Sequence, residues 1–420
     1  MPRVRFVPGF SAAKLDRMNP PESLSLWAHP PFVRFWLARL TGVLSNQMLL
    51  LAVAWQMYDL TSSAWDLGLV GLFQFVPALV MTLPAGHLAD RLHRGRIFAS
   101  CMLAQALVAA LLVASTQTDW TSRGLILGLS VVLGMARAFQ MPAQQALTPV
   151  LVPQALLQRA ISVSSIGMQI AIVGGPALGG LLYGAGANTV YGACLALSLA
   201  SVAFTLTVHY HHVPAQRAAT LASVFAGVAF VWRRQVLLGA MSLDLFAVLL
   251  GGATALLPIY ARDILHTGPQ GLGLLRAAPA IGALLMTLVL VRFPLQRNAG
   301  YKLLGAVAVF GLATLVFGLS DHFVLSLAAL AVTGAADSIS VVTRLTLMQL
   351  DTPDEMRGRV SAVNSIFIGA SNQLGEFESG ATAALLGPVG SVILGGVGTV
   401  MIAAAWLRLF PQLAKRDRLS

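Results

Sequence analysis

The sequence predicts an all-α membrane protein of twelve transmembrane helices arranged as two pseudo-symmetric six-helix bundles. Three observations predict it: composition, the spacing of apolar runs, and a repeat at half the chain length. Of 420 residues, 57% are hydrophobic and 10% charged, and mean hydropathy is +0.77, whereas soluble domains carry roughly 25% charged residues. At about 20 residues per span there is room for twelve crossings. The apolar runs lie near 33–58, 66–86, 97–115, 124–146, 160–183, 190–208, 236–260, 271–291, 301–319, 323–345, 360–386 and 389–409. Pro142, Pro149 and Pro153 are expected to end the fourth run before the fifth begins.

The chain repeats itself. At an offset of 200 residues, Pro153, Arg159, Val163, Ser165, Ile166, Gly175 and Gly180 meet Pro353, Arg359, Val363, Ser365, Ile366, Gly375 and Gly380, and Gly134 meets Gly334. At 202, Gly71, Pro77 and Ala78 meet Gly273, Pro279 and Ala280. Runs 4 and 5 therefore correspond to 10 and 11, and run 2 to run 8, as in transporters built from parallel repeats. The division expected is a cytoplasmic tail (1–32), a first bundle (33–208), a cytoplasmic linker (209–235) with an amphipathic helix from Leu221 to Trp232, a second bundle (236–409) and a C-terminal tail (410–420). The tail lacks an apolar core with a cleavage site, so it does not read as a signal peptide, and Met18 is an alternative start.

Orientation follows from the cations. Both termini inside places Arg91, Arg94, Arg96, Arg159, Arg217, Arg233, Arg234, Arg292, Arg297, Lys302, Arg357 and Arg359 in inner loops, leaving Arg123 and Arg262 outside. The net charge of +11 is thus spread loop by loop, which points to topology and away from nucleic acid. Cys101 and Cys194 both lie in apolar runs, so neither a disulfide framework nor a metal site is expected.

An ionisable group at bilayer depth costs about 2.5–3.5 kcal/mol on insertion scales and must face protein or water. Arg137, Asp244, Arg276, Asp337, Glu376 and Glu378 are such groups, while runs 3, 6, 9 and 12 have none in their interiors. Runs 1, 4, 7 and 10 are therefore expected around a wet cavity. Arg137 and Gln140 share a helix face. Asp337 sits at the position related to Arg137 by the repeat, and is expected to meet it across the cavity or to work in the opposite gate. Arg344, seven residues on, is a further partner for Asp337. Asp337 and Asp244 rank above Glu376 as proton carriers, because a carboxylic acid in a low-dielectric cavity suits proton loading and release. A structural ion pair is the competing reading for each. Asn46 and Gln47 offer neutral hydrogen bonds to a substrate or between helices. Trp55, Tyr58 and Trp65 suggest an outer membrane interface.

Between runs 2 and 3 the basic link Gly86-His87-Leu88-Ala89-Asp90-Arg91-Leu92-His93-Arg94-Gly95-Arg96 resembles the signature loop of the major facilitator superfamily, roughly G-x-L-x-D-R-x-G-R-K. Gly86, Leu88, Asp90, Arg91 and Arg94 match, and His93 stands where the family prefers glycine. Gly86 is expected to let two helices approach closely, and Asp90 to pair with an arginine or a helix N-terminus. Arg137-Ala138-Phe139-Gln140 resembles the family's R-x-x-Q pattern, associated with proton transfer. Gly175, Pro176, Gly179 and Gly180 resemble the G-P-x-x-G-G signature of helix 5 in proton-coupled exporters. With Asp351–Val360 and Asn364, the chain after Trp27 resembles the branch containing enterobactin exporters and macrolide efflux proteins. Asn46 departs from the aspartate many relatives carry in helix 1, which counts against a proton role there.

The resemblance implies a proton-driven exporter of a small organic molecule such as a drug, macrolide or siderophore. Its partners would be that substrate, protons and the lipid bilayer of the inner membrane, with the monomer as family default and no cofactor. None of Lys14, Lys302 and Lys415 lies in a phosphate-binding G-x-x-x-x-G-K-[ST] loop. An importer on the same fold, a lipid-active membrane enzyme and a non-transporting sensor are the alternatives. No nucleophile–base pair supports the enzyme, and the group His209, His211 and His212 reads as a solvated loop.

Overall fold

The structure, a computed structural model, describes residues 25–209, 221–295 and 297–417, apart from the side chains at 83, 87, 89–91, 146 and 221–224. In lipid each backbone N–H and C=O must be satisfied within its own segment, so long apolar runs become helices. The first half is α1 (Pro30–Thr61), α2 (Ala64–Arg91), α3 (Arg94–Gln117), α4 (Arg123–Leu147), α5 (Leu157–Tyr183) and α6 (Ala187–Leu206). Ser63 and Ser122 cap α2 and α4, accepting from the Asp66 and Leu125 amides, each at 3.3 Å. Next comes α7 (Leu221–Arg233). The second half opens with α8 (Gln235–Gly251), prolonged by a 3-10 turn (Ala253–Leu256), the short α9 (Leu257–Ile259) and a π-helical turn (Tyr260–Ile264) into one span. It continues with α10 (Gly268–Arg292), α11 (Ala299–Leu319), α12 (Phe323–Asp351) and α13 (Asp354–Leu409), followed by α14 (Pro411–Ala414).

A straight helix of the 56 residues in α13 would be about 84 Å long, nearly three times a ~30 Å hydrocarbon core. It breaks at Gly387, whose φ of 76° and ψ of 163° are non-helical and favour glycine. Its two arms are the eleventh and twelfth spans.

Packing repeats between halves. In the first, α1 lies on α5 and α6, α2 on α4, and α3 on α4 and α6; in the second, α8 lies on α13, α10 on α12, and α11 on α12 and α13. Repeat-related glycines sit at two of these contacts. A Cβ on Gly134 would stand 2.1 Å from the Gln74 carbonyl oxygen of α2, and one on Gly334 would stand 1.8 Å from that of Pro279 in α10. Between halves, α5 packs on α10 and α2 on the first arm of α13.

The core is uneven along the membrane normal. At the end away from the basic loops, one apolar cluster joins both halves, from Met48, Tyr58 and Tyr191 to Leu257, Tyr260 and Phe317. At the basic-loop end it divides. One cluster around Phe32, Phe98 and Leu156 belongs to the first half, and two around Leu303 and Met241 belong to the second. The halves are sealed together at one end and packed separately at the other.

Two expectations are corrected. Pro142 does not end α4, which continues to Leu147; neighbouring spans can satisfy what one proline frees. The basic link is also mostly helical, since α2 runs to Arg91 and only Leu92 and His93 separate it from α3.

Candidate functional site

In the second half the acids converge. The Arg344 guanidinium of α12 donates to the Asp244 carboxylate of α8, with both side chains almost fully buried. This corrects the expected Arg344–Asp337 partnership: the two residues share a helix face, yet Arg344 reaches across to the neighbouring helix. Asp337 lies within electrostatic range of both members of that pair, and no hydrogen bond or ion pair to its side chain occurs among the described residues. Asp244, Asp337 and Ser340 line one cavity with Val307 and Phe310 of α11, with about 10 Å³ open to a water centre, near the minimum for one water. Arg344 Nε is buried without a partner among the described residues.

A second group bridges the halves. Glu376, on the first arm of α13, feels the charges of Arg276 on α10 and Arg137 on α4, and its side chain lies over Gly71 of α2. Arg137 is exposed and lies within electrostatic range of Glu376, with no ion pair to it among the described residues. The acid within range of Arg137 is Glu376, and the expected meeting of Arg137 with Asp337 is not what the structure contains. Gln140 is buried one turn along. The Gln47 side chain lies against Gly175, so the glycines of α5 make room for α1, with Gly179 beside Met48. Asn46, next to Gln47, is half-buried. Gly180 faces Pro269 and Gly273 across the halves, and Pro176 is buried within α5.

Around Gly86 there is open space, with no heavy atom within 4 Å of a Cβ placed there. The expected close helix approach is absent because this part of α2 stands at the separated end. Arg96 is exposed and Arg94 half-buried beside it. The Asp90 and Arg91 side chains lie outside the described part of the structure, as do His211, His212 and residues 1–24.

Sequence reasoning missed two features. A buried polar cluster ties α1 to α3 and α6: Ser45 Oγ donates to the Cys194 carbonyl at 2.9 Å, approaches Ser198 Oγ at 2.8 Å and accepts from Gln105 at 3.1 Å. The second is a latch between halves at the sealed end. Tyr58 Oη of α1 donates to Asp263 in the π-helical turn. Arg262 pairs with Asp59 at 3.1 Å, donates to the Tyr58 carbonyl at 3.4 Å and lies 5.6 Å from the Tyr58 ring centre. Trp55 and Tyr58 are thus buried within the seal and do not mark a lipid interface. Exposed ion pairs contribute only about 0–1 kcal/mol, so this pair alone adds little to holding the halves together. The variant Arg262→Ala is expected to raise maleimide labelling of single cysteines just inside the sealed end several-fold; unchanged labelling would deny the latch a gating role.

Residues 22–420 match the family described as transmembrane secretion effector. Enterobactin exporter EntS of Citrobacter koseri is 26% identical over 392 residues, which cover 93% of this chain and 94% of the relative. That of Escherichia coli O1:K1 is 25% identical with the same coverage. Among solved structures, a point mutant of the nucleoside transporter NupG superposes with a TM-score of 0.74 at 14% identity, over 90% of this chain and 100% of that one. A bacterial homologue of the human lysosomal transporter Spinster, inward-facing and unoccupied, gives 0.72 at 14%, over 93% and 98%. An inward-facing bacterial homologue of the iron transporter ferroportin gives 0.69 at 15%, over 93% and 100%.

Proposed function

Because this chain belongs to the major facilitator superfamily, in its transmembrane secretion effector family, we propose that it exports a small organic molecule by proton-driven alternating access. The uneven core carries this reading. Halves fused at one end and separate at the other form one of the two states such a cycle needs. Inner loops rich in arginine make the separated end cytoplasmic, with both termini on that side, so this state receives substrate from within. Siderophores of the enterobactin kind are the first compounds to try, on the strength of the exporters aligned over most of the chain.

The coupling role falls to Asp337. Asp244 is already bound to Arg344. Glu376, like Asp337, has no bonded partner among the described residues, but two arginines lie within its electrostatic range against one for Asp337. Asp337 also lines a cavity with room for about one water, which could hand it a proton. Each proton moving inward supplies about 2.3 kcal/mol per 100 mV. The test uses inside-out vesicles energised with an acidic lumen and offered a panel including enterobactin. Wild type is expected to accumulate substrate and dissipate the pH gradient on its addition. Asp337→Asn should lose gradient-driven accumulation while keeping substrate exchange at equal pH. Normal gradient-driven transport by that variant removes Asp337 from the mechanism, and accumulation only in right-side-out vesicles makes the protein an importer.

A further inference from the structure

Among the described residues, four arginines stand about two turns or more inside spans: Arg39, Arg137, Arg276 and Arg344. Three have an acid. Arg344 is bonded to Asp244, while Arg276 and Arg137 are both within range of Glu376. Arg39 of α1 has none: no carboxylate interacts with it among the described residues. Its Nη1 reaches only Thr148 Oγ1, at a long 3.4 Å, its guanidinium is 6.0 Å from the Phe35 ring centre, and its Nε is buried with no partner at all. A guanidinium offers five donors and stays charged. Half-buried without a counter-charge, it is costly to the apo protein.

The space beside it has room for about one water. Trp36, Arg39 and Val43 of α1 face Ser164, Gly167 and Met168 of α5 around a cavity with about 10 Å³ for a water centre and an open mouth. The wall is firm, since Trp36 Nε1 donates to the Val163 carbonyl at 3.1 Å and the indole fills the place a side chain on Gly167 would take. Arg39 lies nine residues into α1, roughly 13 Å from its start. That position is in the part of the first half packed separately from the second.

We propose that the mouth of this cavity between α1 and α5 binds an oxyanion through Arg39, with Thr148 and Ser164 beside it. The anion is the acidic group of an organic solute entering from the basic-loop side, or the phosphate of a lipid headgroup at the same depth. Guanidinium and carboxylate or phosphate match in geometry and charge, and a bound oxyanion supplies the counter-charge that the spans lack. The solute form rests on the export reading; the site itself does not.

The full chain in nanodiscs of phosphatidylcholine tests it, with binding of benzoate, neutral benzamide and inorganic phosphate followed by calorimetry. Benzoate or phosphate should bind and benzamide should not. Arg39→Gln should weaken the anion about tenfold or more, with Arg39→Lys intermediate because it keeps the charge. In the second arm, discs containing phosphatidylglycerol are subjected to native mass spectrometry. Lipid retained by wild type and lost in Arg39→Gln, without benzoate or phosphate binding, assigns the site to headgroups. A melting temperature no lower than that of wild type shows that the variants are folded, and Arg39→Gln should be at least as stable because it removes an unpaired charge. The inference is overturned if Arg39→Gln binds benzoate, phosphate and phosphatidylglycerol as wild type does, if wild type binds none of them, or if benzamide matches benzoate. Such a result alongside Asp337-dependent vesicle transport leaves the export reading standing.

Discussion

Replacing Gly180 with valine is expected to reduce transport to background and hold the sealed end ajar. A Cβ at this position would lie 2.3 Å from the Pro269 carbonyl oxygen and 2.9 Å from Gly273 Cα. Both are backbone atoms of α10 in the opposite half, so no rotamer change relieves the clash and the helices must separate. Small residues let membrane helices meet backbone to backbone, and here that contact lies between the two halves. Its counterpart is Gly380 of α13, where a Cβ would stand 2.6 Å from Gly68 Cα of α2. Gly380→Val should act in the same direction. Gly174→Ala is the control, since nothing lies within 4 Å of a Cβ there. The readouts are vesicle transport and maleimide labelling of cysteines inside the sealed end. Wild-type transport with unchanged labelling in Gly180→Val would mean that the halves do not need this contact to close.

The sequence revealed those features that depend on local chemistry or on spacing. Span length and hydropathy set the helices, and Gly387-Pro388 falls between the last two apolar runs because φ near 76° favours the residue the gap contains. The repeat located Gly134 and Gly334, whose equivalence is now visible as two matching helix contacts. Pairing was less legible. Helical spacing put Arg344 on the face of Asp337, but its bonded partner, Asp244, is 100 residues away on another helix, and only packing decides between acids in range. The latch was invisible for the same reason: Tyr58 and Asp263 are 205 residues apart, and nothing near either one names the other. Aromatic residues near span ends suit lipid interfaces and inter-helix seals equally well. Gly86 shows a different limit, since a glycine permits a close helix approach without placing a helix there.

Removing Arg344 is expected to produce the largest loss of stability. Arg344→Met leaves the Asp244 carboxylate, 5% exposed, without the guanidinium that offsets its burial, and breaking one side of a buried pair costs about 3–5 kcal/mol. Asp244→Leu alone strands the cation, 1% exposed, at a similar cost. The double variant removes both charges and should recover most of the loss, because an apolar pair of similar volume is often neutral relative to a buried ion pair. Thermal inactivation of the four proteins in one detergent gives the coupling directly. Additive losses would show that the two side chains do not act as a pair. Transport by the double variant then separates scaffold from chemistry. If Asp244 and Arg344 only hold α8 to α12 around Asp337, a stable double variant keeps gradient-driven transport. Should it fold and bind substrate yet fail to couple, the pair works together with Asp337 as one proton-handling unit, and Asp337→Asn in that background will cost nothing further.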